Sequence, residues 1–287
     1  MTAVLKHELR SYFHSFTAYV FGAFLLAIVG IGAMLYNLQA AVSNFEYVLS
    51  FGTIIFVVIV PILTMRVIAE ERKQKTDQLL YSLPITTTQV ILGKYLALLV
   101  IYLIPLAIIS IYPLIFAQFG DVYLPTSYGS LVAIFIMGAA LVALGVFISS
   151  LTDNQGLAAG IGIAIILFNY YSVSLSEYVS STSFGSVIAL AVLIFALGAI
   201  IRYVTRNEML AYGIALGLLA VVCIMSYVDP SAFEGLLPDL MKRLSLFDRF
   251  NTFVSGVFDL TAIVYYVSVI VFFLFLSVQS LEKRRYN

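Results

Sequence analysis

Charge is scarce in this chain. Only 10% of its 287 residues are Asp, Glu, Lys or Arg, against about 25% in a soluble domain. Reactive side chains are scarcer still. The single cysteine, Cys223, excludes an intrachain disulfide, and its place in an apolar run reads as a packed thiol. The two histidines, His7 and His14, both lie near the N-terminus, so zinc has no ligand set. No HExxH and no G-x-S-x-G occurs. Gly93-Lys94 fails as a phosphate loop, because the motif needs Gly where Thr88 stands and Ser or Thr where Tyr95 stands. The chain therefore carries none of these catalytic motifs, no zinc ligand set, and no route to ATP by a phosphate loop.

Apolar surface is what the chain has in excess. Hydrophobic residues make up 62% of it and the mean hydropathy is +1.05. No single soluble core of this length hides so much, which excludes a cytosolic enzyme, a nucleic-acid binder and a disordered protein. The fold class that remains is all-α, a polytopic membrane helix bundle. A span needs about 20 mostly apolar residues. Windows of that kind fall at 17–36, 48–65, 95–118, 128–150, 156–175, 185–202, 209–228 and 260–281. The first is too long for a signal-peptide core and lacks a cleavage site after it. None carries a charge at its middle, which argues against proton coupling. Gly156/Gly160 and Gly213/Gly217 have the GxxxG spacing of close helix packing.

Threading these windows puts both termini on one side, together with residues around 66–94, 151–155 and 203–208. That side holds Lys6, Arg10, Arg66, Arg72, Lys73, Lys75, Lys94, Arg202, Arg206, Lys283, Arg284 and Arg285. The remaining Lys and Arg, namely Lys242, Arg243 and Arg249, lie in the opposite 229–259 loop. The basic side reads as cytoplasmic. The pair 185–202 and 209–228 reads as a hairpin or a re-entrant feature, and Arg202, Arg206 and Glu208 between them favour a cytosolic turn.

Three segments outside the windows have their own pattern. Residues 2–14 place Leu5, Leu9, Tyr12 and Phe13 at helical spacing, with Lys6, Glu8 and Arg10 elsewhere around the turn. They read as an amphipathic interfacial helix. The segment 66–94 favours helix from about 66 to 82, with Glu71 and Lys75 at i,i+4. Pro84 ends it, and Thr86–Thr88 offer caps for the next helix. A charged helix between two rigid spans reads as a docking lever. Residues 229–259 repeat apolar side chains at helical spacing, between Pro230, Pro238 and Gly256. They read as short helices at the outer leaflet, lining an exit or capping the bundle.

Three stretches together resemble a known family. The first is Leu5-Lys-His-Glu-Leu-Arg-Ser-Tyr-Phe13. The second is Pro61-Ile-Leu-Thr-Met-Arg66 with Ala69-Glu-Glu-Arg72, Thr76, Leu79-Leu80, Pro84 and Gly93-Lys94. The third is Leu244-Ser-Leu-Phe-Asp248, Phe250, Phe253, Gly256, Asp259-Leu260 and Leu281-Glu-Lys-Arg-Arg285. They resemble the ABC-2 type permeases, in particular the branch of gliding-motility and nitrous-oxide-reductase-maturation permeases. Two departures stand out. Lys75 replaces the glycine usual in the branch, and the usual six spans are extended at about 180–228, as by an inserted hairpin.

The resemblance implies one permease domain over 1–287 of about eight transmembrane helices, a six-span core plus the hairpin. It implies a multi-pass protein of a bacterial plasma (cytoplasmic) membrane, with both termini cytoplasmic. Its partners would be a separate ABC-type ATPase subunit, a second permease copy or paralogue, the lipid bilayer and an auxiliary extracytoplasmic subunit, but no nucleic acid. ATP and Mg would bind on the ATPase, leaving this chain without a cofactor or enzymatic site. Glu70, Glu71, Arg72, Thr76, Leu79, Leu80 and Pro84 would meet the ATPase, Leu5, Leu9, Tyr12 and Phe13 would form the interfacial helix, and transport would be export. A facilitator working without an ATPase, or a membrane scaffold or sensor, are the rival readings. The substrate-binding residues are not legible.

Overall fold

The computed structural model describes residues 1–76, 85–179, 181–205 and 208–285, and among these there are helices and turns but no strand. Among the described residues six helical stretches are long and apolar enough to cross a membrane: Phe16–Gln39, Phe45–Lys73, Thr87–Phe116, Leu124–Leu151, Gln155–Tyr178 and Leu260–Lys283. Each falls on an expected window. The windows 185–202 and 209–228 fall on two further helices, whose described apolar stretches, Ser183–Val192 and Ala215–Val228, are shorter.

In chain order, α1 (Thr2–His14) leads through Ser15 into α2 (Phe16–Ala33), which ends in a π-helical turn. The second span is α3 (Phe45–Gly52), α4 (Phe56–Thr64) and α5 (Ala69–Lys73). The third is α6 (Thr87–Ile109) with α7 (Tyr112–Phe116). Then come α8 (Leu124–Leu151), α9 (Gln155–Tyr178), α10 (Ser183–Thr205) and α11 (Glu208–Val228). The short α12 (Leu236–Leu244) and α13 (Leu246–Val254) precede α14 (Leu260–Arg285). The chain forms two compact units, one of residues 1–170 with 249–287 and one of residues 171–248.

In the first unit α8 is the central span. Of its most apolar stretch 78% is buried, against 22% for the last span. Tyr102 of α6 explains part of this. Its hydroxyl donates to the Ile134 carbonyl at 2.7 Å, and its ring stacks on Phe135 and meets Phe21 and Phe56 edge-on. One aromatic residue thus joins four spans, each pair adding about 0.5–1.5 kcal/mol beyond area burial. The close approaches to α8 occur at two glycines seven residues apart. A Cβ at Gly138 would come within 2.5 Å of the Tyr102 ring, and one at Gly145 within 2.2 Å of Thr64 Oγ1. The GxxxG glycines do not serve this purpose. A Cβ at Gly160, Gly213 or Gly217 meets nothing within 4 Å, and at Gly156 it meets only Asn154.

At the end of this unit remote from α1, Glu46 is buried. It accepts from Asn44 Nδ2 at 2.6 Å and Ser127 Oγ at 3.3 Å. The carboxylate sits among the first turns of α3 and α8, whose dipoles favour an anion. The span middles stay uncharged, as the windows require.

In the second unit α10 and α11 pack on each other as a hairpin. Gly235, in the left-handed region at φ +70°, starts α12 and donates to the Ser181 carbonyl at 2.9 Å. Residues 229–259 do fold into short helices. On α12, Leu237, Leu240, Met241 and Leu244 share one stripe, and none is buried.

Candidate functional site

The border of the first unit that carries α1 is built on a break in the second span. The residue preferences of 66–82 favour one helix, but the chain turns at 65–68, resumes for the five residues of α5, and stops. The backbone groups released by the turn are satisfied by side chains from elsewhere. Tyr12 Oη donates to the Leu63 carbonyl at 3.2 Å. Ser149 Oγ accepts from the Ile68 and Ala69 N–H groups at 3.1 Å each, and donates to the Met65 carbonyl at 3.2 Å. Burial, and then the nearby Glu8 carboxylate, push the Tyr12 phenol well above its ordinary range. It remains a hydroxyl donor at any physiological pH.

After α5 the chain cannot continue as helix, because Lys75 stands at φ +57°. That left-handed conformation suits glycine and costs other residues roughly 1–2 kcal/mol. Hence the expected Glu71–Lys75 pair does not form. Glu71 pairs instead with Lys94.

Lys94 is the centre of the site. It is 2% exposed although it lies near the start of a long apolar helix. Its Nζ donates to Glu8 Oε1 at 2.6 Å and to Glu71 Oε1 at 2.7 Å. One ammonium therefore ties α1, α5 and α6 together. Its neighbour Gly93 makes the approach possible, since a Cβ there would press on Val4 at 3.0 Å and on the Met1 carbonyl at 3.3 Å. The Gly-Lys pair that fails as a phosphate loop is the point where α1 crosses α6. The start of α6 is set by Thr86, which forms a reciprocal cap with Gln89.

Further bonds close the border. Arg66 grips Glu70 in a fork, at 2.7 and 3.2 Å, and donates to Thr17 Oγ1 at 2.8 Å. Buried Arg72 donates to the Ser150 carbonyl, where the α8 C-terminus favours a cation. Ser280 Oγ donates to the same carbonyl at 2.9 Å, and Thr87 Oγ1 donates to Glu282 Oε1 at 2.8 Å. The N-terminal helix, the end of α5, the start of α6 and the ends of α8 and α14 therefore share one face, as the threading requires. Between α1 and the 66–76 segment lies a half-open cavity of about 800 Å³, bordered by His7, Glu8, Tyr12, Glu70, Glu71 and Lys94 among others.

The expected site residues fare differently. Glu70, Glu71 and Arg72 are on α5 and engaged within the chain, whereas Thr76 is exposed on the tip that follows. Leu79, Leu80 and Pro84 lie outside the described residues. On α1 the inward face is Val4, Glu8 and Tyr12; Leu5 and Leu9 are half-buried and Phe13 is exposed. Sequence reasoning missed Lys94, Glu8 and Ser149. One signal was available, a lysine at the mouth of a long apolar helix, which needs a countercharge. Among the described residues no three His, Cys, Asp or Glu side chains gather as a metal site.

A single hydroxyl holding three backbone groups should be sensitive to removal. Ser149→Ala orphans two buried N–H groups, each costing about 1–3 kcal/mol. Thermal unfolding of the purified chain should show this loss, whereas Ser255→Ala, at an exposed hydroxyl, should leave the midpoint unchanged.

No curated protein and no solved structure matches the chain. A family model does, that of the ABC-2 family transporter proteins, over residues 2–183. The matched stretch begins with α1, contains the whole Lys94 cluster, and ends at the first residue of α10. With six candidate spans among the described residues and more than half of the chain matched, this protein belongs to the ABC-2 transporter family and is a multi-pass membrane permease component of an ABC transporter.

Proposed function

We propose that this chain is the transmembrane subunit of an ATP-driven exporter, with ATP and Mg bound and hydrolysed on a separate ATPase subunit. Both units, 1–170 with 249–287 and 171–248, belong to one permease domain, which works beside a second copy or a paralogue. The chain lies in a bacterial plasma membrane with both termini cytoplasmic, in the manner of the gliding-motility and nitrous-oxide-reductase-maturation branch. It carries no cofactor. An auxiliary extracytoplasmic subunit would meet residues 229–259.

One observation carries the ATPase reading. The exposed tip Lys73–Thr76 projects from a base that Lys94, Ser149 and Arg72 fix to α1, α6 and α8. A push on a loose loop dissipates, whereas a push on a tip so anchored moves packed helices. Glu70, Glu71 and Arg72 serve as the base of the lever. Thr76, with Leu79, Leu80 and Pro84 beyond it, supplies the contact with the ATPase. A facilitator or a scaffold has no use for such a base.

The test is capture of the tagged chain from its native membrane in mild detergent. A stoichiometric ATPase with nucleotide turnover is expected. The double reversal Lys73→Glu/Lys75→Glu, on exposed side chains, should abolish capture and leave thermal stability unchanged. A chain that comes down alone across several detergents, without nucleotide turnover, rejects the reading and favours facilitated transport.

A further inference from the structure

We infer that the outward side of α1 binds the headgroups of anionic lipids. The helix is joined to the first span by Ser15 alone, so it stays at the membrane border. Its inward face, Val4, Glu8 and Tyr12, is taken up by the chain's own contacts with Gly93, Lys94 and Leu63. Lys6, Arg10 and His14 follow one another at i, i+4 and i+8 and all three are exposed. Among the described residues neither Lys6 nor Arg10 has a carboxylate partner. His14 Nδ1 donates to the Arg10 carbonyl at 2.7 Å, so the ring is tied to its own helix and the stripe's charge is that of Lys6 and Arg10.

Apolar side chains flank this basic stripe. Leu5, Leu9 and Phe13 lie beside it at helical spacing. Phe16, 86% exposed, and Tyr19, 60% exposed, continue the apolar strip onto the first span. Phe13 and Tyr19 meet edge-on. Aromatic rings at the mouth of a span occupy the headgroup level. A helix with Leu and Phe on one side and Lys and Arg on the next lies in the interface, its rings among the acyl chains and its cations at the phosphates. Two positive charges without partners select an anionic headgroup over a zwitterionic one, by about fivefold for each charge.

The experiment uses the full chain without any ATPase, so its outcome does not depend on the transport reading. The purified, delipidated protein in detergent is titrated with phosphatidylglycerol or phosphatidylcholine, and bound lipid is counted by native mass spectrometry. Phosphatidylglycerol should be retained in preference. Lys6→Gln/Arg10→Gln should lower its retention about 25-fold and leave phosphatidylcholine unchanged, whereas Lys6→Arg/Arg10→Lys should behave as the parent. Equal retention of the two lipids, or an unaffected double variant, overturns the inference. So does displacement of phosphatidylglycerol by inorganic phosphate at comparable concentration, which would show a phosphate site without lipid preference.

Discussion

Lys94→Met should destabilise the chain by about 3–5 kcal/mol, the range for breaking a buried ion pair by removing one partner. The cause is less the lost attraction than what remains, two carboxylates converging on a point with no cation. Glu71 keeps about a quarter of its side chain in solvent, so part of its charge is relieved by water and the lower half of the range is expected. Lys94→Arg keeps the charge but replaces a compact ammonium by a planar fork, so it should be intermediate. Thermal unfolding in detergent orders the three proteins. The neutral set Glu8→Gln/Lys94→Met/Glu71→Gln separates folding from work. Replacing a whole buried ionic group is often close to neutral, so most of the stability should return. If the trio carries motion from the tip to α1 and α6, the same variant should capture the ATPase and fail to couple its turnover to transport. If coupling returns together with stability, the trio is structural only.

The spans were legible because their signal is local. Long runs without charge have one physical solution in a bilayer, and α1 and the Thr86 cap likewise depend on neighbours a few residues apart. The break at 65–68 was not legible for the opposite reason. Its orphan groups are satisfied by Tyr12 and Ser149, which are remote in the chain, while Ala69, Glu70, Glu71 and Lys73 favour continued helix. Lys75 shows both sides of this. It replaces a glycine usual in the branch that the sequence resembles, and its φ of +57° supplies the physical reason for a glycine there. The i,i+4 rule assumed a helix at Lys75 and so assigned Glu71 the wrong partner. Lys94 stood one residue outside an apolar window, where a boundary drawn on hydropathy leaves it as a flanking charge. Only the crossing of α1 at Gly93 buries it.

The glycines make the second large prediction, and here local pattern misleads. Gly156/Gly160 and Gly213/Gly217 fit the packing motif, yet an alanine at Gly160 or Gly213 would meet open space and should be tolerated. Gly145 fits no GxxxG, yet it is where α4 rests on α8. Its added Cβ would lie 2.2 Å from Thr64 Oγ1, 2.8 Å from Thr64 Cβ and 2.9 Å from Thr64 Cγ2. Thr64 cannot swing clear, because its Oγ1 is bonded to the Val60 carbonyl at 2.9 Å and the residue is buried. The helices must part instead. Gly145→Val should therefore exceed the about 1–3 kcal/mol of ordinary overpacking, since parting α4 from α8 also pulls Ser149 from the turn at 65–68. Thr64→Ala removes the Oγ1 and Cγ2 clashes but leaves the Cβ, so it should restore part of the stability of Gly145→Ala and little of that of Gly145→Val. Thermal unfolding of this pair of double variants against Gly160→Ala decides the matter. Equal midpoints for Gly145→Val and Gly160→Ala would show that α8 does not carry the second span at this contact, and the proposed lever would then lack the support on α8 that the proposal requires.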